Sequence, residues 1–208
     1  MRKARGLVQK GCKAVQDLNL LKLLQSEIQH ELSSDLFPTS RSSSLGDLVV
    51  EWDSPQTQDV VLRRKLESGE EVAVSAMLGP ISPWAADKED SLYPRHGEMK
   101  ICVKKPGLSS VLQFDCVILE DGSGFRIRDC YYLHSPARIG PSVYRGRCFH
   151  VYYRSDLDSK LRSALKGYLV GEELTNFLLH YLHKKEQGQY VNWLHKLESF
   201  VAKAAKPE

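Results

Sequence analysis

Val111-Leu112-Gln113-Phe114-Asp115-Cys116-Val117-Ile118-Leu119 is the stretch from which the fold reads out. Leu112, Phe114, Cys116 and Ile118 occupy alternate positions, with Gln113 and Asp115 between them. Successive side chains of an extended segment point to opposite faces, so this one offers an apolar face to a core and a more polar face away from it. Alternation of this kind predicts antiparallel sheet with one face buried. The same period recurs on both sides of the segment. It predicts seven strands, at 46–52, 59–66, 70–78, 99–105, 111–119, 125–133 and 143–151. In the third, Val72, Val74, Ala76 and Leu78 share one face, and in the sixth Phe125, Ile127 and Tyr131 do so, which sets Cys130 on the opposite face.

Turn chemistry separates these segments. Asp53-Ser54-Pro55, Glu67-Ser68-Gly69, Pro106-Gly107 and Asp121-Gly122-Ser123-Gly124 each join two strands over a few residues, so sequential strands should be neighbours in a meander. The interval 79–98 is longer. It holds Pro80, Pro83 and Pro94 and reads as a flexible loop with four acids against two bases, Lys88 and Arg95.

Outside the strands the apolar period becomes helical. From Lys13 to Leu32, Leu21, Leu24, Ile28 and Leu32 recur at helical spacing, widened by Leu20 and Leu23. A serine-rich loop, Ser33 to Leu45, follows. After Ser155, Leu157, Leu161, Leu165 and Leu169 form one stripe, ended by Gly171. Leu174, Phe177, Leu178, Tyr181 and Leu182 form a second. Tyr190, Trp193, Leu194, Leu197 and Val201 form a third, set off by a polar stretch containing Gly188. Helix, then strands, then helices predicts an α+β fold: a seven-stranded twisted antiparallel meander flanked by one N-terminal and two to three C-terminal helices. Residues 13–204 are expected to form a single domain behind a basic segment, 1–12. Leu21, Leu24, Ile28, Tyr190, Trp193, Leu194 and Leu197 are the residues through which the end helices should join each other or a further copy.

Charge and cysteines narrow the function. Residues 1–32 carry six basic side chains (Arg2, Lys3, Arg5, Lys10, Lys13, Lys22) against Asp17, Glu27 and Glu31, which accounts for the whole formal net charge of +3. The rest is neutral, so the body lacks both a strongly basic nucleic-acid footprint and a strongly acidic one. No acid precedes Asp17, which suits an organelle import signal as well as a solvated helix start. Five scattered cysteines (Cys12, Cys102, Cys116, Cys130, Cys148) with no CxxC pair fit a reducing compartment and no cysteine-based zinc site. No apolar run approaches the roughly 20 residues needed to cross a bilayer, so no membrane insertion is expected.

Three constellations are chemically suggestive. His180, His183 and Glu186 recur every three residues on a helix, a spacing at which ligands can share a metal. Lys184 and Lys185 would repel a cation there, and the set reads as a helix face, with no metal and no cofactor expected. Cys116, beside Phe114, reads as a core residue rather than a nucleophile, and Asp129 should blunt Cys130. Arg126, Arg128, Arg145 and Arg147 alternate with apolar residues and form the candidate nucleic-acid contact; the reading preferred here pairs them with cross-strand acids on a wet sheet face.

Four stretches carry a resemblance: Leu24-Gln25-Ser26-Glu27-Ile28, Leu48-Val49-Val50-Glu51-Trp52, Leu165-Lys166-Gly167-Tyr168-Leu169, and Tyr190 to Val201 with Trp193-Leu194-His195-Lys196-Leu197-Glu198 at its centre. With the order of elements, they make the chain resemble the mitochondrial glycoprotein family, also called the mitochondrial acidic matrix protein family, in a plant-type form. The resemblance covers most of residues 13–203. It implies a doughnut-shaped homotrimer of the mitochondrial matrix, with the cytosol or nucleus as alternatives. It also implies no catalytic centre and no cofactor, and mitochondrial protein partners that support matrix gene expression or oxidative phosphorylation. Family members often carry an acidic loop in mid-sheet, whereas the corresponding 79–98 loop here is only weakly acidic.

Overall fold

Short turns between alternating segments leave each strand no easier partner than the next one along, and the sheet follows that rule. A computed structural model describes residues 2–34, 47–80, 95–120, 124–133, 158–169 and 172–204. Six strands pair antiparallel in chain order: β1 (Val49–Asp53), β2 (Val60–Lys65), β3 (Glu71–Leu78), β4 (Gly97–Lys104), β5 (Val111–Ile118) and β6 (Phe125–Leu133). The expected seventh strand, 143–151, lies outside the described residues, so the described sheet is an open one of six strands. Around it in sequence stand α1 (Arg2–Ser33), α2 (Ser159–Leu169) and α3 (Glu172–Ala204), giving the α+β class.

The alternation sets the register. Val74 pairs with Ile101, Ile101 with Phe114, Met99 with Cys116 and Val103 with Leu112, so apolar side chains line up row by row across β3, β4 and β5 on one face. Two glycines permit this geometry. Gly69 adopts φ +82° in the β2–β3 turn, where its N–H donates to the Leu66 carbonyl, a conformation that a side chain would strain. Gly97 lies opposite Ile118, whose Cδ1 would be 2.9 Å from any added Cβ.

β6 departs from strict alternation. Asp115 pairs with Asp129 and Cys116 with Ile127, leaving Arg128 as an extra residue in a β-bulge. The bulge shifts the side-chain phase by one. Cys130 thereby pairs with Phe114 and packs against the core beside Phe125 and Ile127, while Tyr131 pairs with Gln113. The sequence expectation placed Cys130 and Tyr131 on the reverse faces; an uninterrupted two-residue period cannot foresee an inserted residue. A second irregularity, at Glu51, interrupts β1 between Val50 and Trp52.

The described chain forms two compact units, Thr39–His183 and Met1–Pro38 with Lys184–Glu208. In the first, Leu169 of α2 and Leu174, Leu178, Leu179 and Leu182 of α3 are buried in one cluster with the apolar face of the sheet. Their spacing of three to four residues supplies the stripe that a sheet face requires. In the second unit, α1 and the later part of α3 run antiparallel, with Leu24 and Ile28 buried against Leu194 and Val201. Gln25 to Glu198, Glu27 to Tyr190 and Glu31 to Gln187 are hydrogen-bonded in descending order, which establishes the direction.

Among the described residues two helices follow the sheet, within the two to three expected, because the second and third apolar stripes belong to a single helix of 33 residues that continues through Gly188. A glycine inside a helix is unfavourable by about 1 kcal/mol relative to alanine, too little to break a helix with buried stripes on both sides. Nothing lies within 4 Å of where a Gly188 Cβ would be. Gly188→Ala should therefore stabilise the protein by about 0.5–1 kcal/mol, read as a higher urea midpoint at unchanged slope. A lower midpoint would show that the backbone at Gly188 is not regular helix.

Candidate functional site

Sheet alternation places the charged residues of β2 to β5, except Arg64 opposite Val72, on the face away from the cluster, where cross-strand neighbours approach within reach of one another. Both carboxylate oxygens of Glu51 accept from Arg63 Nε at 2.9 Å. Glu71 lies 3.9 Å from Arg63 and 3.8 Å from Lys65. Lys100 meets Asp115 at 3.8 Å, in line with their direct pairing in the β4–β5 register. Arg128, lifted by the bulge, sits 3.6 Å from Glu98. Cations and carboxylates thus alternate across this face. A phosphate backbone would have to displace those carboxylates to reach the cations. Of the four arginines proposed as nucleic-acid contacts, Arg126 is exposed, Arg128 is partnered by Glu98, and Arg145 and Arg147 lie outside the described residues.

The histidine series does not converge. His183 is buried, with Nε2 at 3.0 Å from the Arg95 carbonyl oxygen, whereas His180 is half-buried. Among the described residues no group of three or more His, Cys, Asp or Glu side chains is placed to hold a metal ion. Arg95 is itself tied down, its Nε donating to the Gly79 carbonyl at 2.7 Å, so the two ends of the 79–98 interval are joined to each other and to α3.

Burial disfavours the thiolate form at Cys116 and Cys130. Burial, then the Asp115 carboxylate, push the Cys116 thiol up from 9.0 to about 12, and burial raises Cys130 as well. Tyr181 was readable from its stripe, but not its partner. Its hydroxyl donates to Asp53 at the end of β1, a contact between residues 128 apart in sequence that no local pattern announces. Burial first, and that acceptor second, raise Tyr181 to about 12.

A raised acid keeps its proton in the folded state after the unfolded chain has lost it. Stability is then whole below the unfolded value and falls as pH climbs towards the folded one. For Cys116 that window runs from 9.0 to about 12. We expect wild type to lose more stability than Cys116→Ala between about pH 8 and about pH 11, measured by urea unfolding. Equal losses in the two proteins would refute a buried neutral thiol.

The helix-joining residues divide into two groups. Leu24, Ile28 and Leu194 are buried, and Leu21 and Leu197 pack at the border of the same cluster. Tyr190 and Trp193 stack on one another, with ring centroids 5.9 Å apart, and remain exposed.

The described chain is therefore a helix, an antiparallel meander and two further helices, with a charge-paired sheet face and no assembled reactive centre among the described residues. The family model described as Mitochondrial glycoprotein matches residues 24–201. The chain belongs to the mitochondrial glycoprotein family. The matched region begins at Leu24 in α1 and ends at Val201 in α3, two of the four residues buried between those helices. Among solved structures, the p22 protein of Trypanosoma brucei is similar, with a TM-score of 0.67 and 18% identity over 90% of this chain and 99% of that one. At that identity the likeness concerns the fold. Membership implies a mitochondrial location, and the family is not known as one of enzymes. Among the described residues no helix is long and apolar enough to cross a membrane.

Proposed function

We propose that this member of the mitochondrial glycoprotein family is a non-enzymatic, oligomeric binding protein of the mitochondrial matrix. It acts as a scaffold or chaperone-like adaptor for several mitochondrial proteins and works as a homotrimer. The observation that carries this reading is β1. It pairs only with β2 among the described strands, and it exposes Val49 (68%), Val50 and Trp52. An edge strand with free backbone groups and uncovered apolar side chains recruits another chain unless something blunts it. The bulge at Glu51 limits open-ended strand addition, which favours a closed assembly over a fibre. The carboxylate beside Arg128 weighs for protein partners over nucleic acid.

Light scattering tests the assembly: the expected mass is three times that of the chain, and Val49→Lys with Trp52→Lys should reduce it. Crosslinking pull-down from isolated mitochondria tests the adaptor role, with matrix proteins as the expected captures. A stable single subunit at micromolar concentration would end this reading.

A further inference from the structure

The helix pair of the Met1–Pro38 and Lys184–Glu208 unit buries one seam and leaves a second apolar surface beside it. Its flanks differ. On one, Gln25 donates to Glu198 at 2.9 Å and His195 lies 3.5 Å from the same carboxylate, a polar border. The other flank is marked by the hydrogen bond from the Tyr190 hydroxyl to Glu27 at 3.2 Å. Leu23 and Leu20 stand four and seven residues before Glu27 and so share its side of α1. Trp193 stands one turn beyond Tyr190, and Phe200 two turns further on, on the matching side of α3. These positions are open to solvent: Leu23 is 69% exposed, Trp193 54% and Phe200 73%, with Leu20 also exposed. Val15, Leu18 and Leu32 are exposed as well, but helical spacing puts them on other sides of α1.

The result is an apolar groove about three turns long between two helices, the shape that an added helix fills through anchors three, four and seven residues apart. Its border has a definite charge. Lys196 lies one turn beyond Trp193 and Lys203 one turn beyond Phe200, both exposed. The acids on this flank are Glu27, which already accepts from Tyr190, and Glu186, which lies two turns before Trp193, away from Lys196 and Lys203. A second copy would bring its own Lys196 and Lys203 to a border that already carries two, so charge complementarity favours a different occupant.

We propose that the Leu20–Leu23–Trp193–Phe200 groove docks an amphipathic helix of a partner protein that carries acidic residues beside its apolar stripe. Docking would complete a three-helix arrangement and cover the aromatic side chains, while Lys196 and Lys203 meet the partner's carboxylates. This inference rests on the adaptor reading above and adds the chemistry of one partner.

The test uses the full chain and two fluorescent synthetic helices of about 18 residues, each with leucines on one stripe and either glutamates or lysines beside it. The glutamate peptide should bind about 10-fold or more tightly than its lysine twin, as expected for two charge pairs changed from attraction to repulsion. Trp193→Ser with Phe200→Ser should abolish binding, and Lys196→Glu with Lys203→Glu should reverse the preference between peptides. All four substitutions are at exposed positions, and circular dichroism checks that the fold persists. Equal affinity for the two peptides, or binding that survives the double serine variant, overturns the proposal. So does a fall in oligomeric mass in that variant, which would assign the groove to a second copy. Sedimentation with phosphatidylglycerol vesicles that depends on Trp193 and Phe200 would assign it to a lipid surface instead. Should neither peptide bind while the trimer and its mitochondrial captures stand, this inference falls and the adaptor reading survives.

Discussion

Phe114→Ala should destabilise the protein by about 3–5 kcal/mol, the loss typical of emptying a phenylalanine site in a well-packed core. Phe114 is fully buried in mid-β5, paired with Ile101 on one side and Cys130 on the other. Its ring therefore touches neighbours from two adjacent strands, and the hydrogen-bonded ladders on both sides keep those strands from closing over the void. For a chain of this length the shift in Tm should be on the order of 10 °C. A domain of ordinary stability, about 5–15 kcal/mol, would keep only a fraction of its margin. Phe114→Leu, which retains most of the volume, should cost far less. A Tm within about 2 °C of wild type for the alanine variant would mean that the centre of the sheet does not carry the core.

Ile28→Asp should release α1 from α3. The seam between them holds four buried residues, Leu24, Ile28, Leu194 and Val201, and Ile28 is among the least exposed. An unpaired buried charge is unfavourable by about 3–5 kcal/mol, which exceeds what so small a cluster can offset. A helix without its packing partner is marginal in water, so α1 should fray. Hydrogen exchange would show loss of amide protection through α1 and the facing part of α3. Strands β3 to β5, which have their own cluster, should keep theirs. Ile28→Val should cost only about 1 kcal/mol and leave exchange almost unchanged. Protection of α1 unaltered by the aspartate would show that something other than this seam holds the helix.

Much of this architecture is legible in the sequence, for local reasons. The two-residue period of β3 and β5 and the four-residue spacing of Leu174, Leu178 and Leu182 in α3 each report which face of an element is buried, and the structure places these as expected. Turn residues such as Gly69 mark where one strand ends and the next begins. The polar stretch around Gly188 left two or three helices open, and the chain there forms one helix, because helix propensity is a weak local preference that two buried stripes override. The β6 bulge was not legible. Nothing in Phe125-Arg126-Ile127-Arg128-Asp129-Cys130 marks Arg128 as supernumerary until β5 supplies the register.

The candidate surfaces divide in the same way. Trp193 reads from sequence as one more member of an apolar stripe with Leu194 and Leu197, and only the placement of α1 decides that it faces solvent. Likewise Arg128 reads as a free cation until the bulge and β4 bring Glu98 to 3.6 Å. By itself the sequence determined the type of the described elements, the buried faces of β3 and β5 and the order of the described strands, because these depend on spacing along one chain. Tertiary structure alone decided which apolar side chains remain uncovered and which charges are neutralised. Those properties belong to pairs of residues far apart in sequence, and no period along the chain records a distance between them.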